Sequence, residues 1–526
     1  MKETILVCSL HYPPHFVGGA ELIAHEQAKA LERLGHRVVV FAGEVGGEGE
    51  RYSLREDRWE GLPVFRVKLH REDIHSGFVN FFHPEVDTHF ERLLERVRPS
   101  AVHAHNIGGL SARIPHLAKR SGARTVATLH DYWGFCFKNT RLKQPAEMCR
   151  DHRRCSECMP YIHDGAERGI PVALRNDFLA LQFDDVDAFV APSFHLAAAY
   201  ARTGLPVGKL VVVPNGIDVE RFSRVRKRPG DRMRFSFVGY LGHHKGVGNL
   251  IRALPLLGEP DRFRVNIVGE GELGGTLRTL AGELGVAENV RFWGKVENRA
   301  VDGVLAETDV LVLPSVWEEN QPVSVSEALA SRTPVIASRV GGIPEQVRDG
   351  VDGLLYDAES VEALAGRMLE FIGHPEWIGE FGQRAFAAIE ANTFGRYARR
   401  MERVYKDAGG DEERVERLIA CVGSRVDGVC AEAMERLRRR LGARACRFAM
   451  AEWLTTEQLA KARGVWIVDG AVTKDELRHG LRHALRHGVP ALVPSSLPGG
   501  GEGDVRGYST ALEAAERLKE LLDHAA

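Results

Sequence analysis

Short apolar runs recur along the chain, and between them lie stretches whose apolar positions return every three or four residues. "TILVCSL" is one such run. "LIAHEQAKALERLGHRVVVFAG" then reads as an amphipathic helix, a stop at Gly35 and a second strand. Strand, helix and strand in this order make a βαβ unit, whose right-handed crossover leaves the two strands parallel. The alternation continues through "PSAVHAHNIGG", "ARTVATLHDYW", "DAFVAPS" and "LVVVPNGID". A fresh cycle opens at "RFSFVGYLGHHKGVGNLIRALPLL" and runs through "FRVNIVGEGE", "ENVRFWGKV", "DVLVLPS", "PVIAS" and "GLLYD". The pattern predicts two doubly wound α/β domains in series, joined near Pro214.

From Glu380 to Ala408 the pattern is helical, and "KDAGGDEERVE" reads as a linker. Beyond it, "ACRFAMAEWLTT" and "VPALVPSSLPGG" can be laid over "NVRFWGKV" and "TPVIASRVGG", while "RLIACVG" parallels "VNIVGEG". Residues 412–526 therefore read as a degenerate partial copy of the second domain, although any two α/β stretches share some likeness. The copy lacks a counterpart of the loop glutamate Glu319, so no chemistry is expected of it. The predicted segments are 1–213, 214–379, a helical crossover and linker at 380–411, and 412–526.

A chain of 526 residues is too long for one ordinary core. Its 44% hydrophobic and 27% charged content fits a globular protein, and a net charge of -2 gives no nucleic-acid footprint. The opening "MKETILVCSLHYPP" has too short an apolar run for a secretory signal. No stretch approaches the roughly 20 apolar residues of a membrane span. A cytoplasmic protein is expected, with any membrane contact peripheral.

Eight cysteines are too few for a disulfide scaffold, but Cys136, Cys149, Cys155 and Cys158 fall together in "CFKNTRLKQPAEMCRDHRRCSEC". Four thiols ending in C-x2-C have the composition of a closed tetrahedral site. A structural zinc is the expectation, with an iron–sulfur cluster as an alternative ligand and His152 as an alternative donor. Four unrelated reduced thiols are the plainer reading.

Ligands of open α/β sheets sit beyond the carboxyl ends of the strands. There the pattern places Gly18 and Gly19, whose amides can approach an anion, His130 with Asp131, Lys245, and Gly269 with Glu270. Glu319 lies in the loop after "DVLVLPS", and Glu327 in the first turns of the next helix. Each has a plain reading too: a solvated loop charge, a glutamate favouring a helix dipole, a turn glycine, a histidine satisfying backbone groups. His103 and His105 read as packing residues.

Taken in order, "GGAE", "HAHN", "TLHD", "VPNGID", "HKG", "IVGEG", "ENQPVSVSE" and "PVIASRVGGIPE" resemble the motifs of the retaining glycosyltransferases of family 4 over roughly residues 1–410. The resemblance implies a GT-B fold, two Rossmann-like domains facing a cleft, with the C-terminal degenerate α/β domain added. Glu319 and Glu327 match the family's E-x7-E pair, which implies that Glu319 meets the donor sugar and Glu327 the ribose. Asn320 and Pro322 fall in the same donor loop, and Gly18, Gly19 and Gly269 in the other donor-side loops. Lys245 is implied at the leaving diphosphate and His130 beside the donor sugar. Asn215, Gly216 and Asp218 resemble the hinge-side loop. Tyr240 departs from the family, which usually has an arginine there.

The implied activity is transfer of a sugar, with retention, from a UDP-, GDP- or related nucleotide sugar to a carbohydrate or lipid-linked acceptor, as in surface polysaccharide or glycoconjugate synthesis. No cofactor is implied for catalysis. Competing readings are a nucleotide-sugar epimerase of the same fold, a two-carboxylate glycoside hydrolase, and a donor-binding scaffold without turnover.

Overall fold

The structure, a computed structural model, describes residues 2–15, 18–143, 147–151, 154–163, 169–358 and 360–408, together with five strand segments between 418 and 508. Met1–Leu196 with Val211–Ala408 form one compact unit, and Ala197–Leu210 with Gly409–Ala526 another.

The first unit opens on β1 (Thr4–Ser9), a run with no exposed position. It is followed by β2 (Arg37–Val45), β3 (Leu54–Trp59), β4 (Leu62–Leu69), β5 (Ala101–Ala104), β6 (Arg124–Thr128), a small hairpin β7 (Tyr161–His163) and β8 (Gly169–Pro171), then β9 (Ala188–Ala191) and β10 (Leu210–Val212). Eight of these form one sheet in the order β10-β9-β6-β5-β1-β2-β4-β3. β1 pairs in parallel with β2, Ile5 opposite Val38, and with β5, Ile5 opposite Ala101. Burial on both faces explains why these strands read as unbroken apolar runs instead of alternating ones. The half-polar β3 departs from this pattern, pairing antiparallel to β4 at the sheet edge.

A second sheet is made of β11 (Met233–Val238), β12 (Phe263–Val268), β13 (Val290–Gly294), β14 (Val310–Leu313), β15 (Val335–Ser338) and β16 (Gly353–Tyr356). Its order is β13-β12-β11-β14-β15-β16. Every expected strand of both cycles is present, and the two sheets are the Rossmann-like pair that the pattern implied.

The helix Phe394–Asp407 belongs to the first domain's core although it follows the second sheet. Tyr397, Met401 and Tyr405 pack there with Ile5, Val7 and Val40. The Tyr405 hydroxyl takes a hydrogen bond from Gln27 Nε2 at 2.9 Å and meets His103 Nδ1 at 2.6 Å. The chain thus crosses between domains twice, and the crossings touch: Ile217 N donates to the Asn392 carbonyl at 2.8 Å. A Cβ on Gly216 would lie 2.7 Å from the Phe394 ring.

In the C-terminal region β17 (Leu418–Val422), β18 (Arg447–Met450), β19 (Gly464–Ile467), β20 (Ala491–Pro494) and β21 (Val505–Tyr508) form a sheet in the order β18-β17-β19-β20-β21. All four pairings are parallel. The expectation of a copied helical pattern there lies outside the described residues. Among the described residues no helix is long and apolar enough to cross a membrane.

Gly269 shows how closely loops pass at the carboxyl edge of the second sheet. Its φ is +138°, and a Cβ would fall 1.8 Å from the Gly239 carbonyl oxygen. Replacing it with alanine adds both a disfavoured backbone conformation and a backbone clash. Gly269→Ala is expected to cost at least about 2 kcal/mol, read as a lowered denaturant midpoint with an unchanged slope.

Candidate active site

In the second sheet the strand order turns around at β11, which has β12 on one side and β14 on the other. Loops leaving such neighbours diverge and leave a crevice. The β11 exit carries Lys245, at the end of the 3-10 turn His243–Lys245. The β14 exit carries Glu319. Lys245 Nζ donates to Glu319 Oε1 at 2.7 Å, and Ser315 Oγ donates to the same oxygen at 2.6 Å. The two loops touch directly: Gly246 has φ +66°, and a Cβ there would lie 1.9 Å from the Pro314 carbonyl oxygen. That contact is why glycine follows the lysine in "HKG".

Glu319 is only 4% exposed. Burial pushes its pKa up, but the charge of Lys245 and the hydrogen bonds from Lys245 and Ser315 outweigh burial and hold it below the ordinary value. Glu319 is therefore a carboxylate at neutral pH. The Lys245 ammonium also lies 5.3 Å from the centre of the Trp317 ring, where the π face favours a cation. Behind Glu319 stands the double glycine of "RVGG". Gly342 N donates to the Glu319 carbonyl at 2.6 Å. A Cβ on Gly341 or Gly342 would sit 2.1 or 2.0 Å from a carbonyl oxygen of Glu319 or Asn320.

Glu327 is equally buried, on the helix Val323–Ala330. Asn298 Nδ2 donates to its Oε1 at 3.4 Å. Burial lifts its pKa to about 7, with Arg221 and Asn298 opposing the rise. The two carboxylates thus differ in character: Glu319 is held ionised by its lysine, whereas Glu327 titrates near neutrality. Pro322 holds the N-cap position of this helix. A Cβ on Gly19 would come 2.7 Å from Val323 Cγ2, so the amino end of the helix Gly19–Arg33 abuts that of the Glu327 helix. Gly18 N donates to Glu21 Oε2 at 2.8 Å. Two helix amino ends in one place favour a negatively charged group.

His130 joins the first domain to this loop, since Asn320 Nδ2 donates to its carbonyl at 2.9 Å. Its Nε2 lies 2.9 Å from His105 Nδ1, and the rings of His130, His105 and His103 stack in a column. Burial lowers the pKa of His130 to about 4 and that of His103 to about 3, so both rings are neutral at physiological pH. His103 and His105 are packing residues with hydrogen bonds, as expected. The Oδ1 atoms of Asn320 and Asn215 are buried and accept no hydrogen bond, which leaves acceptors for a hydroxyl.

The remaining expected residues have their own surroundings. Tyr240 is half exposed, and its hydroxyl donates to Glu272. Its ring stacks on that of His244, the neighbour of Lys245, and a tyrosine brings no positive charge there. Gly269 serves the close passage of two loops already described. Cys136, Cys149, Cys155 and Cys158 are free thiols. Among the described residues no three histidine, cysteine, aspartate or glutamate side chains gather to hold a metal ion. Cys149 Sγ is directed to the Asp151 carbonyl and Cys155 Sγ to that of Phe135. Burial raises the pKa of Cys136 and Cys155, which favours the thiol over the ligating thiolate. His152, the alternative donor, lies outside the described residues.

Sequence reasoning passed over Ser315, Asn298, Arg221 and Glu345. The Glu345 carboxylate accepts from the Phe194 and His195 amides of the first domain, each at 2.7 Å. Only "GGIPE" hinted at Glu345; the others have no local signal.

Comparison with known proteins agrees with this placement. The model for Glycosyltransferase Family 4 matches residues 17–221, and that for Glycosyl transferases group 1 matches residues 218–387. An uncharacterized glycosyltransferase of Methanocaldococcus jannaschii is 25% identical over 410 residues, 77% of this chain and 98% of that one. A GDP-mannose-dependent alpha-(1-6)-phosphatidylinositol monomannoside mannosyltransferase of Mycobacterium tuberculosis is 26% identical over 348 residues, 62% of this chain and 82% of that one. Among solved structures, sucrose-phosphate synthase of Thermosynechococcus elongatus aligns with a TM-score of 0.59 at 17% identity, covering 77% of this chain and 98% of that one. HepE of Anabaena, solved in complex with UDP, aligns at 0.55 and 18% identity, covering 77% and 100%. With both sheets matched in order and a buried ionised pair where the second sheet reverses, this chain is a glycosyltransferase enzyme of GT-B fold, similar to family 4.

Proposed function

We propose that the enzyme transfers a sugar from a nucleotide-sugar donor, with retention of anomeric configuration, to a carbohydrate or lipid-linked acceptor. The observation that carries this reading is the buried Lys245–Glu319 pair at 2.7 Å, beside two abutting helix amino ends. Structural relatives solved with UDP or UDP-glucose, and a relative named for GDP-mannose, support the donor class.

In this reading the diphosphate meets the amides near Gly18, Gly19 and the Glu327 helix. Lys245 stabilises the charge that develops on the leaving phosphate. Glu319, kept ionised, accepts from donor-sugar hydroxyls, with Asn320 Oδ1 as a second acceptor. Neutral His130 can donate to a sugar oxygen without adding charge. Glu327 accepts from ribose hydroxyls once it has lost its proton. The acceptor proton leaves toward a donor phosphate oxygen on the face that the leaving group vacates. Tyr240, with its hydroxyl held by Glu272, favours one second reading, a donor-binding scaffold with Lys245 as the sole cation of the pair.

A thermal-shift screen over UDP-, GDP- and ADP-sugars is expected to raise Tm with one base class. Donor consumption should follow with that ligand; binding with neither transfer nor hydrolysis across an acceptor panel selects the scaffold. Glu319→Gln and Lys245→Ala are each expected to lower kcat about 10²–10³-fold with circular dichroism unchanged.

Glu327 gives a pH test. Its folded pKa of about 7 exceeds the ordinary 4.5, so between these values the native state binds the proton more tightly than the unfolded chain. The group's contribution to stability is therefore lost as pH rises through that window. Glu327→Gln should melt like the wild type at pH 4.5. At pH 8 it should be more stable, by on the order of 2–3 kcal/mol, while binding nucleotide sugar more weakly.

A further inference from the structure

The cysteine-bearing insert reaches the catalytic loop through Arg141. Arg141 sits in that insert with φ +57°, a backbone conformation uncommon for a residue with a side chain. Its Nη1 pairs with Glu318 Oε2 at 2.5 Å, and its Nη2 donates to the Cys149 carbonyl at 2.8 Å. Cys149 N donates back to the Arg141 carbonyl at 2.7 Å, which closes the turn. The guanidinium lies 5.2 Å from the centre of the Tyr132 ring. The arginine is 13% exposed, so solvent screens this pair less than an ordinary surface pair.

Glu318 immediately precedes Glu319, and the first domain grips it at both ends. The Tyr132 hydroxyl donates to the Glu318 carbonyl at 3.0 Å. His195 Nε2 lies 3.3 Å from the carboxylate oxygen that Arg141 holds, and 3.1 Å from the Tyr132 hydroxyl. One residue beyond Glu319, Asn320 is tied to His130. The Glu319 backbone is therefore fixed in front by residues 318 and 320 and behind by Gly342. Within this frame Arg141 brings a guanidinium, charged at any physiological pH, to the Glu318 carboxylate.

We infer that Arg141 is a positioning residue for transfer: its pairing with Glu318 holds the loop so that the Glu319 carboxylate faces the donor sugar. This rests on the proposed transferase function, in which Glu319 contacts that sugar. Arg141 touches neither Glu319 nor the Lys245 ammonium in these bonds, so its loss should misplace the carboxylate without emptying the nucleotide site. Small displacements of a reacting constellation cost large factors in rate.

The test uses the full chain with the nucleotide sugar found in the screen. Wild-type turnover comes first; if the wild type binds donor and never consumes it, the transferase reading fails and Arg141 is not at issue. With turnover in hand, Arg141→Gln is expected to lower kcat about 10- to 100-fold. The Kd for the free nucleoside diphosphate should stay within about twofold, since that ligand lacks the sugar. Arg141→Lys should recover part of the rate, because an ammonium can pair with Glu318 but cannot also fork to Cys149. Glu318→Gln should slow the enzyme similarly, and the double variant should be no slower than the worse single one. Wild-type kcat in Arg141→Gln, or losses that multiply in the double variant, would overturn the inference. If Arg141→Gln melts far below the wild type, the same two readings on Glu318→Gln decide.

Discussion

The pairing of Lys245 with Glu319 is the constraint on which the site is built. Glu319 is held out of water and the Lys245 side chain largely so, and desolvation of this kind is repaid only by good geometry and further hydrogen bonds. Both are present. Ser315 donates to the same carboxylate oxygen, the Trp317 ring lies beside the ammonium, and Gly342 ties down the carbonyl. Apolar residues of similar volume would serve stability equally well, so the retention of charge points to chemistry. Each ion is the other's partner; a donor carrying hydroxyls and phosphates supplies groups that both can turn to.

The remaining titratable groups are sorted by the same physics. The histidine column is buried without a carboxylate, and its rings are driven neutral. Glu327 is a buried carboxylate without a bonded cation, and it titrates near pH 7. Burial without an ionic partner raises acids and lowers bases. Glu319, with an ammonium in contact, keeps its charge. The site therefore offers a fixed anion at Glu319, a neutral donor at His130, and an acid at Glu327 that can exist in either form.

Much of this was legible in the sequence, for reasons that differ by residue. Strands buried on both faces announce themselves as apolar runs, so β1, β11 and β14 could be read locally. Gly19, Gly246 and Gly341 were visible as glycines, though their reasons were not: each excludes a Cβ from an atom far along the chain, at Val323, Pro314 and Glu319. The polar β3, pairing antiparallel at the edge, had no apolar run to reveal it. The return of Phe394–Asp407 to the first domain depends on packing against residues nearly 400 positions earlier. Arg141 and Glu318 are ordinary charges until the fold brings them together. The four cysteines stand close in sequence, and the fold shows what sequence could not: the sulfurs of Cys149 and Cys155 are directed to separate carbonyls.

The contact between the two interdomain crossings has a mechanical consequence. Because Ile217 bonds to Asn392, both strands of the passage lie along one short axle, and a rotation about it stretches neither. Gly216, with no side chain to catch on Phe394, lies within that pivot. Any swing of one half against the other would therefore displace atoms in proportion to their distance from residue 217, and would do so at nearly constant chain length.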